Sequence, residues 1–514
     1  MSVRRALRGL GLWVALWLLV LSMPGGALAQ QFEVSASTFA SGLMIVNLSS
    51  NAANVLIEFN RPDGTTVFSK TFQIGPNGVR TIYLPTDPEF AGLPSGFVGA
   101  AVISADQPIA ASVNTERLTS SPSEPERRDS SPALDDSSIG VTLWMPQVMN
   151  NAFEDGWSST CYVQNTSTAP VQVRVIIKSR FGGAEAYNQV VTIPANGVLT
   201  VDHTQLGLPM GFAGGMKVQA LDGTTKLAGT CNFFANGADG ERSQFNTYRA
   251  FNAGATVLHA PLVYRTFYDV TSGLAIQNIG TQPTSIAIDF NFPARGGRPE
   301  FRTTLEPPQC QNLQPDQSCT LYLKPNPDFP GWPDFLIGSA VIRSSGQPII
   351  AIVNYRKDFR GDGKSESATY SAFLDNAKTP RAILPQITSV FYGFSSGYSV
   401  VNAGATPGTF TITYRWDERY RSAFYPGEPS SYTRTVTLNP GQAWARFVPD
   451  ELAELAGKTI TDFNGSLTIE GTQPLFAVSN RDYRLDRVIS RTNTNRDVVE
   501  RLGDLFSQAN GLNY

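Results

Sequence analysis

The chain repeats itself four times, and that repetition limits its fold more than any other feature. One line recurs: Ser41-Gly42-Leu43-Met44-Ile45-Val46-Asn47, Ser272-Gly273-Leu274-Ala275-Ile276-Gln277-Asn278 and Ser396-Gly397-Tyr398-Ser399-Val400-Val401-Asn402. A looser copy reads Ser159-Thr160-Cys161-Tyr162-Val163-Gln164-Asn165. A second line follows each. Gly99-Ala100-Ala101-Val102-Ile103 leads to Gln107-Pro108-Ile109-Ala110-Ala111-Ser112-Val113-Asn114, and residues 338–342 and 465–469 lead likewise to 347–354 and 473–480. The worn copy runs from Gly215-Met216-Lys217-Val218 to residues 227–232. The closing Asn returns with a period of roughly 120 residues, long enough for each unit to bury its own core, so the chain is an array of similar modules.

Within a module the pattern is strand, turn, strand. Residues 54–59 lead into Pro62-Asp63-Gly64, then 65–73, Pro76-Asn77-Gly78 and 79–84. Asp-Gly and Asn-Gly between β-branched runs tolerate the positive φ of tight hairpins. About seven short strands per module with almost no helical periodicity predict an all-β fold: four tandem immunoglobulin-like antiparallel β-sandwiches. A jelly roll or small barrel is the alternative. Alternation puts Leu43, Ile45 and Asn47 on one face, and the Asn is expected to hydrogen-bond the turn that follows it. Pro-rich crossovers at 85–92 and 325–331 suit arches between two sheets. Trp144-Met145-Pro146, His259-Ala260-Pro261 and Ile383-Leu384-Pro385 open modules two to four as first strands, where Pro is tolerated.

The boundaries read as 1–29 signal peptide, 30–138 module 1, 139–254 module 2, 255–378 module 3, 379–492 module 4 and 493–514 C-terminal helix and tail. That helix is capped by Asn495 and carries Val498, Leu502, Leu505, Phe506 and Ala509 on one stripe. Short joins between modules predict a semi-rigid rod. Residues 119–138, rich in Ser, Pro and charge, read as mobile. Modules 2 and 3 close with 247–251 and 369–373. Module 1 lacks such a line and is expected to present an open edge.

Arg4, Arg5 and Arg8 ahead of an apolar run at 10–21, with Ala27-Leu28-Ala29 as a small-residue site, read as an export signal cleaved near Ala29. The expected location is extracellular or at the cell surface, with no integral membrane segment after cleavage. Four cysteines in an exported chain point to two disulfides. Cys161 and Cys231 occupy core positions of module 2, so they should staple its sandwich. Cys310 and Cys319 flank an insertion in module 3 that a local bridge would clip shut.

Net charge is −3, which provides no basic field to draw in nucleic acid. The only two histidines, His203 and His259, fall in different modules and read as structural. No nucleophile elbow, phosphate loop or zinc spacing occurs, so neither cofactor nor metal is expected. Arg360-Gly361-Asp362 resembles an adhesion tripeptide, with a hairpin tip as the plainer account. Asp358, Asp362 and Glu366 do not have EF-hand spacing. Trp332, Trp416, Tyr420 and Tyr425 are aromatics able to build a sugar platform or to pack a core. Three Asn-x-Ser sites begin at Asn47, Asn165 and Asn464.

In outline the chain resembles the tandem immunoglobulin-like repeat proteins of bacterial cell surfaces, across residues 31 to about 492. The resemblance is one of architecture and transfers no functional residues. It implies a secreted, non-enzymatic structural protein, a subunit of a filament, sheath, surface layer or stalk. The expected partners are further copies of itself (a homo-polymer) or other surface proteins, with a neighbour's strand completing module 1. The alternative is an adhesin or glycan-binding array using loops at the sandwich ends.

Overall fold

A computed structural model describes residues 39–483, apart from residue 77 and segments 118–127, 154–155, 236–243, 325–328, 358–365, 392–393, 417–420, 423–424 and 461. Module 1 holds β1 (Phe39–Asn47), β2 (Ala53–Asn60), β3 (Thr66–Ile74), β4 (Val79–Tyr83), β5 (Ala100–Ala105), β6 (Ile109–Arg117) and β7 (Arg128–Pro132). Module 2 holds β8 (Thr142–Asn150), β9 (Trp157–Asn165), β10 (Val171–Ser179), β11 (Glu185–Ile193), β12 (Val198–Asp202), β13 (Phe212–Ala220), β14 (Leu227–Ala235) and β15 (Gln244–Arg249). Module 3 holds β16 (Val257–Arg265), β17 (Val270–Asn278), β18 (Ile286–Phe292), β19 (Phe301–Leu305), β20 (Ser318–Tyr322), β21 (Leu336–Ser344), β22 (Ile349–Lys357), β23 (Glu366–Ser371) and β24 (Phe373–Leu374). Module 4 holds β25 (Thr379–Ser389), β26 (Phe394–Asn402), β27 (Gly408–Trp416), β28 (Ser431–Leu438), β29 (Ala443–Phe447), helix α1 (Val448–Ala456) and β30 (Phe463–Tyr483).

The class is all-β, with antiparallel sheets. Module 2 sets β11-β10-β13-β8 against β12-β9-β14-β15, and module 3 repeats this as β19-β18-β21-β16-β24 and β20-β17-β22-β23. In module 4, β30 runs unbroken between sheets: its first half pairs β25 and β27, its second half β26. Counting within a module, the second strand lies beside the fifth and the third beside the sixth, the two central pairings of the immunoglobulin plan. The first strand joins the sixth, and the seventh joins the second. Module 1 shows β4-β1-β6-β7 and β3-β2-β5, so nothing among the described residues takes the first strand's place beside β5.

Both repeated lines have clear structural jobs. Each first-line Asn is fully buried, and its amide Nδ2 donates to two or more carbonyls. Asn278 donates to Gln282 O at 2.8 Å and Leu313 O at 2.9 Å, and its Oδ1 accepts from Gly280 N at 2.9 Å. Asn402 repeats this with Thr406, Leu438 and Gly404, and Asn47 and Asn165 follow suit. The first-line Gly faces the second-line Asn across the ladder, Gly42 to Asn114, Gly273 to Asn354 and Gly397 to Asn480. A Cβ on Gly397 would come within 2.6 Å of Asn480 Oδ1, so a side chain there would require Asn480 to shift.

Two expectations need correction. Module 1 does have a closing strand: β7 pairs with β6 from Ser112 to Glu116. Its sequence, Arg-Asp-Ser-Ser-Pro, has no β-branched or aromatic residue, so propensity concealed it. Residues 128–132 are therefore ordered in a ladder rather than loose. The helix that is seen, α1, lies in the arch of module 4, opened by Pro449 and ended by Gly457 at φ +66°. The helix expected at 493–514 lies outside the described residues, as does the proposed signal segment.

Candidate functional site

Three titratable groups of the described residues lie in enclosed surroundings. His203 is fully buried, with its Nδ1 2.9 Å from Ser159 O, and burial lowers its pKa to about 4. His259 Nε2 lies 2.9 Å from Asp375 Oδ1 while the ring packs on Phe476, centroids 4.7 Å apart. Desolvation lowers its pKa in spite of that carboxylate. Glu451 on α1 is also fully buried. Its Oε2 accepts from Tyr398 at 2.6 Å and from Tyr414, and its Oε1 sits 2.9 Å from Arg434 Nε. Burial raises both tyrosine pKa values. This network pins α1 to the sheets. Among the described residues no three His, Cys, Asp or Glu side chains converge to hold a metal ion.

Cys161 is bonded to Cys231, 70 residues on, and Cys310 to Cys319, 9 residues on. The first bond joins directly paired residues of neighbouring strands β9 and β14, so it ties one sheet to itself rather than stapling sheet to sheet. The reason is the pairing of second with seventh strand, which puts both cysteines in one ladder. Cys310 is buried at the base of the module 3 insertion, beside Leu313 in that core.

The aromatics named from sequence do not gather into one platform. Trp332 packs among Phe290, Phe301 and Phe329 of module 3, and Trp416 among Phe463 and Tyr425 of module 4. Tyr420 and the Arg360-Gly361-Asp362 line, with Asp358, lie outside the described residues. Other aromatics are exposed instead. Phe153 and Phe181 flank the Arg180 guanidinium at 4.8 and 4.5 Å, with Met210 on a neighbouring exposed loop of module 2. In module 3, exposed Tyr268 packs on Phe267 and Phe335 at centroid separations of 4.8 and 4.7 Å. These loop aromatics lie outside both repeated lines, so the repeat carries no signal for them.

The junctions between modules are built from both apolar and polar contacts. Outward-facing Ala275, Ile350 and Ile352 of module 3 are buried within the core cluster of module 2. Asp316 of module 3 accepts from Trp144 Nε1 at 3.1 Å and lies 3.3 Å from Lys217 Nζ, while Asn354 Nδ2 donates to Gln147 at 2.8 Å. The next junction repeats the plan: Phe476 stands where Ile350 does, and Val478 joins the module 3 core. Ser399 Oγ donates to Pro261 O at 2.6 Å, and Arg295 to Ala445 O at 2.9 Å. Arg180 occupies the same post one module earlier, donating to Thr320 Oγ1 at 3.1 Å. Modules 1 and 2 meet through Phe39 against Phe245, a Thr247 N–H donated to Asp129 and a Val198 N–H donated to Pro62 O at 2.9 Å, the last on the turn after the third strand, as at Arg180. A run such as Ile349-Ile350-Ala351-Ile352-Val353, apolar on both faces, was the sequence signal for these buried sheets.

Comparison with protein-family models finds no match, and no curated protein matches. Among solved structures, the crystal structure of Thermotoga maritima 1070 matches over 24% of this chain and 95% of its own, at 21% identity and a TM-score of 0.18. A likeness at that level carries no functional argument. No helix among the described residues is long and apolar enough to cross a membrane.

Proposed function

We propose that this chain is a non-enzymatic structural protein, exported and used as a subunit of an extracellular or cell-surface assembly. The observation that carries the reading is the junction chemistry: apolar side chains on the outer faces of β17, β22 and β30 are spent on seating one module against the next. An enzyme would concentrate specialised residues in one module's cleft, whereas here the specialised residues hold modules in register. The two disulfides suit an oxidising compartment. Fractionation of native cells, followed by electron microscopy of the surface fraction, tests the proposal. Retention of the chain in a multi-copy assembly is the expected result, and free monomer in the medium overturns it.

The second reading, an adhesin or glycan binder, draws on exposed Phe153, Phe181 and Tyr268, since aromatic faces stack on sugars and apolar patches mark binding surfaces. A glycan array of the intact chain decides it. Reproducible binding lost in Phe181→Ala supports this reading, and silence across the array removes it.

A further inference from the structure

We infer that one corner of module 3, built from Tyr268, Phe335 and Arg298, binds an anionic polysaccharide. The inference deepens the second reading above by naming the class of glycan, and it rests on that reading.

The fold dictates the backbone of this corner, so the choice of residues is what needs explaining. Directly after the first strand, Asn151, Thr266 and Val390 take equivalent places in modules 2, 3 and 4, at φ +48°, +46° and +50°. Two positions on, Phe153 and Tyr268 are left-handed again, at +60° and +49°. Directly before β13, β21 and β30 stand Gly211, Phe335 and Asp462, at +84°, +65° and +60°. Glycine fills such a place at no steric cost and Asn or Asp tolerate it, whereas a bulky side chain there is an outlier. Module 2 uses Gly211 where module 3 uses a phenylalanine. With Asp269 at +66°, module 3 gathers four of the eleven left-handed non-glycine residues of the described chain into this corner. Backbone held in sparsely populated regions concentrates at ligand clamps and other functional sites.

What this backbone presents is an aromatic pair with a cation beside it. Tyr268 is 65% exposed, so core packing does not account for its ring. It meets Phe335 edge-on, centroids 4.7 Å apart, and the Phe335 N–H donates to Thr266 Oγ1 at 2.9 Å, tying the two ends of the corner together. The exposed Arg298 guanidinium lies 4.9 Å from the Phe335 centroid and is steadied by donating to the Asp334 carbonyl. Neighbouring carboxylates are engaged elsewhere, Asp334 with Arg265 at 3.5 Å and Glu300 with Arg302 at 2.6 Å, and among the described residues Arg298 makes no ion pair. Arg295 adds a second guanidinium, 5.3 Å from the Phe267 centroid, against the one further exposed carboxylate of Asp269.

That combination fits one ligand chemistry. The C–H face of a hexose stacks on an aromatic ring, and a guanidinium fork grips a pair of anionic oxygens. A neutral sugar leaves the arginines unused, and a free anion leaves the rings unused. Phe153, at the place equivalent to Tyr268, lies 4.8 Å from the Arg180 guanidinium, so a chain-like ligand meets the same pairing one module earlier.

The test titrates the full chain with polygalacturonate, dextran sulfate and neutral dextran by calorimetry, for wild type and three variants. Wild type is expected to bind the two charged polymers and not dextran. Tyr268→Gly installs the residue that this φ favours, so the melting temperature is expected to hold while affinity for polygalacturonate falls about tenfold. Arg298→Gln is expected to weaken both charged polymers by a similar factor, and Tyr268→Phe, which keeps the ring, to bind like wild type. Absence of binding to either charged polymer, or affinities unchanged in Tyr268→Gly and Arg298→Gln, overturns the inference. Dextran bound as tightly as dextran sulfate refutes the anionic class while the glycan reading stands. Silence of all three polymers together with a silent glycan array removes both.

Discussion

Modules 2 and 4 solve the same core problem with different chemistry. Cys161 and Tyr398 occupy one position, four residues before the buried Asn, and face Cys231 and Ser479 across the ladder. Module 2 fills the space with a covalent bond between neighbouring strands. Module 4 fills it with a large ring whose hydroxyl must find a partner, and α1 supplies one by burying Glu451. The repeat dictates the volume to be filled, not the means. A buried carboxylate then requires its own partners, which explains why Tyr414 and Arg434 converge on it.

That contrast can be broken from either side. Glu451→Ala leaves two buried hydroxyls without their acceptor and Arg434 with Glu454 alone, and should cost roughly 3–5 kcal/mol of module 4 stability. Amide exchange read at β26 and β30 should rise steeply while β9 stays protected, whereas unchanged exchange there shows that α1 is dispensable. Replacing Cys161 and Cys231 together by Ala should lower module 2 stability by about 4 kcal/mol in the chain-entropy account for a 70-residue separation. Urea unfolding followed at β9 and β14 measures it, and a loss confined to module 4 would refute the assignment.

Module 2 should also be acid-sensitive. The folded-state pKa of His203 is about 4, below its ordinary 6.5, so the neutral ring favours folding. That stabilisation is complete above pH 6.5 and drains as pH falls toward 4, worth roughly 3 kcal/mol at about 1.4 kcal/mol per pKa unit. His203→Gln should flatten the pH dependence of exchange at β9 and β12, and an unaltered profile assigns the sensitivity elsewhere. The smallest expected effect is at the junction. Asp316→Ala removes the acceptor of Trp144 and the partner of Lys217, and should cost about 1 kcal/mol. Trp144 fluorescence should report the loosening before global unfolding begins.

Much of this was legible from repeated letters. The Asn at each strand end and the core positions of the cysteines follow from period and alternation, which are properties of single strands. What escaped depends on partners. β7 is a strand because β6 offers it a ladder, not because Asp129, Ser130 and Ser131 favour one. Helix α1 was hidden in an arch, although Pro449, Asp450, Glu451 and Gly457 spell out its start and stop. Which of two apolar faces meets its own core and which meets a neighbour, as with Ile349 and Ile350, requires the packed structure.

The seating of Ile350, Ile352, Phe476 and Val478 on preceding modules has a mechanical consequence. Parting two modules must bring these buried side chains into water together, so each junction resists opening in proportion to the apolar surface it hides.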